Sequence, residues 1–329
     1  MSTLTLRQLQ YFLAVAELRH FGKAADRCCV TQPALSTQIR ELEDALGVQL
    51  VDRRRGHIEL TPEGKDMAHH AQAVLMAVRE MQECASGRNA RLTGTLRLGA
   101  IPSLAPYLLP PLLPELQIAY PDLQLEIHEQ VTQSLVAGLL EGVLDAIVVA
   151  GPMDDPQIET MELFEDRFLL ARRRETGDGS RAPSALETLQ TEKLLLLHDG
   201  HCLRDQAVSY CQSLGQSMLS EFGASSLTTI MRMVASGYGV TLLPEIAADA
   251  ELVDARIELV PLGPPEPRRS IALAWRRMSA RRSDFRAIGQ LMAGICAPPA
   301  HGAAARRPKD PALSPIALDA GSLRAPTRV

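Results

Sequence analysis

The pattern of residues 21–47 constrains the fold of this chain more than any other feature, because one helix start follows another within a few residues. Residues 21–28 predict a short helix whose small side chains allow close packing. Thr31 is a typical helix cap, Pro33 suits a first helical turn, and Gly47 suits a helix end. The sequence therefore predicts two helices joined by a short turn, preceded by a first helix over residues 6–18 with one apolar face.

The helix predicted over residues 32–46 has one apolar stripe and a polar outer face. Its inner stripe consists of Leu35, Ile39, Leu42 and Leu46. The outer face carries short polar groups near the start and a cation further on, a set that fits the major groove of DNA, where such groups read base edges. The outer residues are Gln32, Pro33, Ser36, Thr37 and Arg40.

Two further segments extend this module. Residues 50–60 predict a small hairpin with the arginines 53–55 at its tip, which suit phosphate contacts, although a solvated turn is an alternative. Thr61, Pro62 and Glu63 predict the start of a helix that reaches about residue 87. Its apolar residues form a heptad seam, which predicts pairing of two chains, the alternative being a helix that faces its own core. The seam is Met67, Ala71, Val74, Val78, Met81 and Ala85.

After a linker over residues 88–94, strand-like and helix-like stretches alternate as far as residue 275, which predicts one α/β domain or a pair of them. Strands are predicted over residues 95–100, 123–129, 145–150, 194–198, 240–243 and 271–275, and helices over residues 108–120, 134–141 and 203–214. The last 32 residues contain six Pro and eight Ala without a sustained apolar period, so they predict a disordered tail.

Composition limits the classes of function. The net charge of −5 argues against a protein that binds polyanions with its whole surface, but residues 1–92 carry 12 basic and 11 acidic side chains, which permits a small DNA-reading module. The chain lacks an apolar run long enough for a membrane span and lacks a secretory leader, so we expect a cytoplasmic protein without membrane association. The six cysteines form no C-x-x-C pair, so we expect neither a metal site nor a cofactor.

Three stretches carry a resemblance to a known family. Residues 21–25 (FGKAA), residues 30–43 (VTQPALSTQIRELE) and residues 60–64 (LTPEG) look like the winged helix-turn-helix of LysR-type transcriptional regulators. Residues 237–244 (GYGVTLLP) resemble a stretch of the effector domain in that family. The resemblance covers about residues 5–295.

The family resemblance implies an architecture that combines α+β and α/β parts. It implies a winged helix-turn-helix over residues 1–60, a dimerisation helix and hinge over residues 61–93, and a two-subdomain α/β domain of periplasmic-binding-protein type over residues 94–297, with the tail over residues 298–329. It also implies homodimers that assemble into tetramers, bind double-stranded promoter DNA and contact RNA polymerase, and it implies a regulator rather than an enzyme.

A further segment, residues 198–206 (HDGHCLRDQ) followed by Cys211, resembles the redox centre of the peroxide-sensing members of that family. The resemblance implies that hydrogen peroxide oxidises Cys202, which then forms a disulfide with Cys211 and activates antioxidant genes. A cytosolic dithiol reductant is expected to reduce the disulfide and return the protein to its starting state. It also implies a peroxide-binding group around Cys202 formed by Ser103, Thr132, His201 and Arg269, with His128 as a weaker candidate.

The position of Cys202 suits such chemistry. It lies where a predicted strand passes into a predicted helix, so backbone N–H groups and the helix dipole favour a thiolate, the form that attacks peroxide. Arg204 adds positive charge nearby, whereas Asp205 opposes it. If Cys202 and Cys211 lie on one helix, their Cα atoms are roughly 13 Å apart, whereas a disulfide tolerates at most about 7 Å. Oxidation must then unwind part of the helix.

The DNA-contact residues can be divided by expected role. Gln32, Pro33 and Ser36 are expected at base edges, and Thr37 and Arg40 at bases or phosphates. The residues expected to hold the DNA backbone are Lys23, Arg53 and Arg54.

Three other functions compete with a peroxide-responsive regulator: a regulator that answers a small metabolite, a thiol peroxidase that uses Cys202 and Cys211, and a solute-binding protein. The four remaining cysteines, Cys28, Cys29, Cys84 and Cys296, are expected to have no redox role.

Overall fold

The structure is a computed structural model that describes residues 4–52, 58–85, 92–174, 183–214, 219–264 and 266–296. The first part is a compact module of helices closed by a short hairpin. Its elements are α1 (Leu6–Leu18), α2 (Phe21–Arg27), α3 (Gln32–Leu46), β1 (Val51–Asp52), β2 (Glu59–Leu60) and α4 (Pro62–Ala85). In the described part of the chain, no helix is long and apolar enough to cross a membrane.

Local capping explains where these helices begin and end. The Thr31 side chain accepts a hydrogen bond from the backbone N–H of Ala34 at 3.4 Å, and Gly47 ends α3 with φ of 72°. Thr61 caps α4 by accepting from the backbone N–H of Gly64 at 2.9 Å. The predicted bounds of α1 and α3 are confirmed, as is the start of α4. The predicted hairpin is present, although its tip at residues 53–57 lies outside the described residues.

The core of this module uses the predicted stripe of α3 and part of the α4 seam. Leu35, Ile39 and Leu42 are fully buried. Ala71 is buried in the same core and Met67 packs against it, whereas Val74 and Met81 are exposed. The start of the seam therefore faces its own chain, and pairing of two chains through the exposed part remains a prediction.

The rest of the described chain forms two subdomains, each with its own hydrophobic core. Subdomain I contains β3 (Gly94–Ala100), α5 (Ala105–Ala119), β4 (Leu123–Glu129), α6 (Thr132–Leu140), β5 (Ala146–Ala150), β11 (Arg268–Arg276) and α11 (Arg282–Cys296). Subdomain II contains α7 (Ala185–Thr191), β7 (Leu194–Leu197), α8 (Cys202–Ser213), β8 (Leu219–Ala224), α9 (Leu227–Ala235), β9 (Thr241–Pro244), α10 (Ala248–Glu251) and β10 (Ile257–Pro261).

One long strand, β6 (Ile158–Arg173), joins the two subdomains. Its first half pairs with β11, and its second half pairs with β9 and β10. Ile158 and Leu163 lie in the core of subdomain I, whereas Leu169 and Leu170 lie in that of subdomain II. The two-subdomain fold implied by the family resemblance is thus confirmed, and its boundary passes through the middle of β6.

The long helix of the first module contacts subdomain I at the turn that follows α6. Arg79 on α4 donates a hydrogen bond from Nη2 to the backbone oxygen of Gly142 at 3.3 Å, and its Nη1 lies 3.6 Å from Asp145 Oδ1. Gly142 has φ of 74°, and a Cβ there would lie 2.4 Å from the sulfur of Met76. The turn therefore approaches α4 more closely than any residue with a side chain would allow.

Candidate functional site

Cys202 is the first residue of α8, at the end of the turn that leads out of β7. Gly200 supports this turn with φ of 92°, a conformation that favours glycine. His201 precedes the helix without a side-chain cap, so the first backbone N–H groups of α8 have no side-chain partner from that residue. The predicted strand-to-helix junction at Cys202 is confirmed.

The Cys202 side chain lies in a narrow pocket between the two subdomains. The loop after β3 and the start of α6 supply the wall from subdomain I, and the turn before α8 supplies the wall from subdomain II. The lining residues are Ile101, Pro102, Ser103, Val131, Thr132, Gly200, His201 and Cys202. Three of the residues predicted around Cys202, namely Ser103, Thr132 and His201, therefore meet in one pocket.

Helix α8 presents its two cysteines to different cores. Cys202 is partly buried against the core of subdomain I. Cys211 is fully buried in the core of subdomain II, on the same stripe of α8 as Leu203 and Ala207. Nine residues correspond to two and a half turns, so the two side chains leave the helix on opposite sides and their Cα atoms lie roughly 14 Å apart. A disulfide between them requires α8 to unwind or to leave one of the cores.

Burial also changes the acidity of the Cys211 thiol. Burial raises the pKa of the Cys211 thiol to about 11. At neutral pH Cys211 is therefore a protonated, unreactive thiol for as long as α8 stays in place.

Behind the pocket, Arg269 on β11 fixes Ser103. Its Nη1 donates to Ser103 Oγ at 2.9 Å, and its Nη2 donates to the Ser103 backbone oxygen at 3.3 Å. Its Nε and Nη2 also contact Asp166 Oδ2 at 3.0 and 2.9 Å. Burial raises the pKa of the Asp166 carboxyl, and Arg269 opposes part of that rise. Arg269 thus reaches the pocket through Ser103, and Asp166 is a partner that the sequence did not point to.

Two polar side chains near Cys202 are buried without a hydrogen-bond partner in the described residues: Thr132 Oγ1 and Gln206 Oε1. Buried polar groups are nearly always paired, so these two atoms each lack a hydrogen-bond partner of the kind that a small polar molecule supplies. Thr132 lines the pocket, whereas Gln206 lies one turn along α8 from Cys202. Gln206 was not predicted from the sequence, where the available signal was its position four residues after Cys202 on a predicted helix.

The imidazole beside Cys202 is neutral at pH 7. Burial lowers the pKa of His201, and the neighbouring His198 lowers it further. A neutral imidazole can accept one proton and donate another, so His201 can exchange protons with a small polar molecule in the pocket.

Two other candidates lie elsewhere. His128 lies on β4 opposite Gly99 of β3 and is not among the residues that line the pocket. Arg204 donates from Nη1 to the backbone oxygen of Leu197 at 3.0 Å, and its Nε pairs with Asp199 at 2.7 Å. It therefore braces the turn between β7 and α8.

The outer face of α3 is free, as the sequence predicted. Gln32, Pro33, Thr37 and Arg40 are exposed, Ser36 is half-buried, and Lys23 on α2 is exposed. Thr37 Oγ1 donates to the backbone oxygen of Pro33 at 3.0 Å. Arg53 and Arg54 lie outside the described residues. This face forms a polar, partly cationic surface suited to a groove of DNA.

The other described cysteines and the acidic groups form no competing site. Cys28 is half-buried and Cys29 exposed, at the turn between α2 and α3. No group of three or more His, Cys, Asp or Glu side chains within the described ranges could hold a metal ion.

A helix-turn-helix module, joined by a long helix to a two-subdomain domain with a pocket at its cleft, defines a DNA-binding transcriptional regulator. The family "Bacterial regulatory helix-turn-helix protein, lysR family" matches residues 6–65, and the "LysR substrate binding domain" matches residues 89–297. The chain belongs to the LysR family of transcriptional regulators.

Within that family, the chain is similar to proteins whose names refer to hydrogen peroxide and to OxyR. The chain is 40% identical to the "Hydrogen peroxide-inducible genes activator" of Dickeya chrysanthemi over 86% of this chain and 92% of that protein. It is 39% identical to the "DNA-binding transcriptional dual regulator OxyR" of Escherichia coli K12, over 87% and 94%. A full-length OxyR from Pseudomonas aeruginosa with a Cys-to-Asp substitution matches with a TM-score of 0.74 and 35% identity, over 88% and 95%.

Proposed function

We propose that this protein is a peroxide-sensing transcriptional regulator in which oxidation of Cys202 and its disulfide with Cys211 switch the conformation that activates antioxidant genes. The observation that carries the proposal is the placement of the two thiols on one helix. Cys202 is the first residue of α8 and shares a pocket with Ser103, Thr132 and His201, whereas Cys211 is buried near the other end of the same helix. The names of the related proteins support the same function.

The first chemical step takes place in the pocket. The Cys202 thiolate attacks one oxygen of hydrogen peroxide, the O–O bond breaks, and hydroxide leaves while the sulfur becomes a sulfenic acid. Ser103, Thr132 and His201 are the peroxide-binding residues of this proposal, because their polar groups surround the thiol. Arg269 supports the site by holding Ser103.

The second step needs the helix to change. When α8 unwinds or separates from one of the two cores, the Cys211 thiol can attack the sulfenic sulfur. This attack forms the S–S bond and releases water. The disulfide then excludes the intact α8, because its two sulfurs cannot meet on a helix. A local refolding of this kind is a two-state element that can repack contacts between subunits and redirect the DNA-binding modules.

The partners follow from this assignment. The α3 face reads promoter DNA through Gln32, Pro33 and Ser36, with Thr37 and Arg40 beside them, and Lys23, Arg53 and Arg54 hold the DNA backbone. The protein works in the cytoplasm as a homodimer that assembles into a homotetramer, contacts RNA polymerase, and is reset by a dithiol reductant. In this proposal the protein acts as a regulator rather than as a peroxidase.

The decisive experiment is DNA footprinting of the full chain with and without hydrogen peroxide. We expect the wild-type footprint to change on oxidation and that of Cys202→Ser to stay in the reduced pattern. Cys29→Ser, which removes an exposed thiol in the DNA-binding module, is the matched control and should respond like wild type. A Cys202→Ser variant that still responds to peroxide would overturn the proposal. A footprint that changes only with a small metabolite would favour the metabolite-responsive alternative.

The proposed contact between Arg53 and the DNA backbone can be tested separately. Arg53→Ala should weaken binding to all sequences and reduce the slope of log affinity against log salt by about one unit, since one phosphate contact is lost. A loss restricted to a single sequence would contradict a backbone role.

A further inference from the structure

A buried ion pair lies behind the pocket, and one of its members, Asp166, has no part in the chemistry described so far. Arg269 and Asp166 face each other on neighbouring strands, β11 and β6, at the boundary between the two subdomains. Their side chains are 0% and 1% exposed. Burying two charges requires a large desolvation free energy, so a pair in this place indicates a task beyond stability.

The hydrogen bonds of Arg269 connect the ion pair to Ser103 in the wall of the pocket. A guanidinium group has only donors, so Ser103 Oγ must be the acceptor of the 2.9 Å bond from Nη1. The Ser103 hydroxyl therefore keeps its own hydrogen for another acceptor, and none of the described residues takes it. The Ser103 backbone is fixed by Nη2 as well, so the side chain is held at both ends. Since Ser103 lines the pocket, its O–H has the Cys202 pocket as its open direction.

Asp166 determines where the guanidinium lies. Its Oδ2 contacts both Nε and Nη2 of Arg269, and its Oδ1 accepts from the backbone N–H of Ile246 at 3.0 Å. Both carboxylate oxygens are thus engaged, and Asp166 is anchored to the segment that follows β9 in subdomain II. An amide in place of this carboxylate would present two N–H groups where only acceptors fit, and the guanidinium would have to rotate.

We propose that Asp166 is a positioning residue for the oxidation of Cys202: it orients Arg269 so that Ser103 accepts a hydrogen bond from Arg269 and donates a hydrogen bond to the oxygen that leaves peroxide. The inference rests on the proposed function. As the thiolate attacks and the O–O bond breaks, negative charge develops on the far oxygen. The Ser103 O–H stabilises that charge, and the hydroxide that leaves takes up a proton from water. Arg269 strengthens the Ser103 donor by polarising it from behind.

The test compares two reactions of Cys202 in the full-length, reduced protein. Oxidation by hydrogen peroxide creates an oxyanion that needs a donor, whereas alkylation by iodoacetamide does not. We expect Asp166→Asn to lower the rate constant for peroxide by about tenfold or more while leaving the alkylation rate within about twofold. Both rates are measured by mass spectrometry of the Cys202 peptide. Equal slowing of both reactions, or no slowing of either, would overturn the inference.

Two further variants keep the test decisive. Glu165→Gln removes the neighbouring exposed carboxylate, which pairs with Arg268 at 2.9 Å, and it should change neither rate. Ser103→Ala leaves the ion pair in place and removes the donor, so it should show the same loss that is specific to peroxide, even if Asp166→Asn fails to fold. The double variant should be no slower than Ser103→Ala, because both changes remove the same donor. If the rate losses of the two single variants add in the double variant, Asp166 does not act through Ser103.

An internal reference separates this inference from the proposed function. Cys29 is an exposed thiol in the same chain and reports ordinary thiol reactivity. If wild-type Cys202 reacts with peroxide no faster than Cys29, the proposed function fails. If Cys202 reacts faster than Cys29 and Asp166→Asn reacts as fast as wild type, only the role of Asp166 fails.

Discussion

The two ends of α8 differ in almost every physical respect. At its start, Cys202 lies in a pocket that mixes apolar and polar side chains, and it packs against subdomain I. Near its end, Cys211 is surrounded by the aliphatic side chains of subdomain II, and burial raises the pKa of its thiol to about 11. One short helix thus gives two identical side chains opposite chemical roles. In the proposed function, the first thiol attacks peroxide and the second becomes available only when the helix moves.

The largest effect is expected from exchanging the two cysteines one at a time for serine. Cys202→Ser should lower the rate of peroxide consumption by several orders of magnitude, to that of an ordinary thiol, because the pocket loses its nucleophile. Cys211→Ser should keep the fast first step, but its product should remain a sulfenic acid that a dimedone probe traps. Mass spectrometry of the peptide over α8 distinguishes the products. Fast consumption by Cys202→Ser would reverse the assignment of roles.

The next effect concerns the anchoring of α8 in subdomain II. Leu203 is 3% exposed and lies on the same stripe as Cys211. Leu203→Ala should lower the free energy of unfolding by about 3 kcal/mol, and it should speed disulfide formation once Cys202 is oxidised, since α8 is held less tightly. Urea unfolding and the rate of disulfide formation measure the two effects.

The matched control for this change is Leu186→Ala on α7, a leucine that is 38% exposed. It should destabilise the protein by well under half as much, because less apolar surface loses its contacts. If Leu203→Ala forms the disulfide at the wild-type rate, the packing of α8 in subdomain II does not limit the second step.

A smaller effect should appear in the dependence of stability on pH. The pKa of Cys211 is raised in the folded protein, so the contribution of its protonated form is complete below pH 9 and is lost as the pH rises towards 11. Under reducing conditions, wild type should lose about 2 kcal/mol more than Cys211→Ala across this interval. Unfolding by urea at several pH values provides the difference. Parallel curves would show that the Cys211 thiol is not held in its neutral form by burial.

The smallest effect is expected at Arg204, whose ion pair with Asp199 lies at the surface. Arg204→Gln should lower stability by less than about 1 kcal/mol and change the rates of both thiol steps by less than about twofold, since the guanidinium braces the turn. Stopped-flow oxidation and urea unfolding test this together. A large loss of Cys202 reactivity would instead assign the Arg204 charge to the thiolate.

The local parts of this site could be predicted from the sequence because they depend on neighbours in the chain. The junction at Cys202 and the separation of the two cysteines along α8 both follow from helical geometry. The grouping of Ser103, Asp166 and Arg269 could not be derived in the same way. These residues lie on three different segments, and only the pairing of β6 with β11 brings the last two together.

The same distinction holds for the fold. The helices α1 and α3 carry their own caps and apolar stripes, so their bounds were predicted from local signals. Strand β6 was not predicted, because its pattern changes where it crosses from one core to the other. In its first half, over residues 158–165, only Ile158 and Leu163 are buried, whereas residues 168–172 are continuously buried. Helix α5 begins at Ala105 rather than at residue 108, because the turn at Ile101 already starts it.

The close approach of Gly142 to α4 has a mechanical consequence. Helix α6 begins at Thr132 in the wall of the pocket and ends beside the turn that touches Met76 and Arg79. A helix of nine residues spans only about 13 Å and bends little over that length. A single short helix therefore connects the wall of the Cys202 pocket to the turn that contacts the long helix of the DNA-binding module.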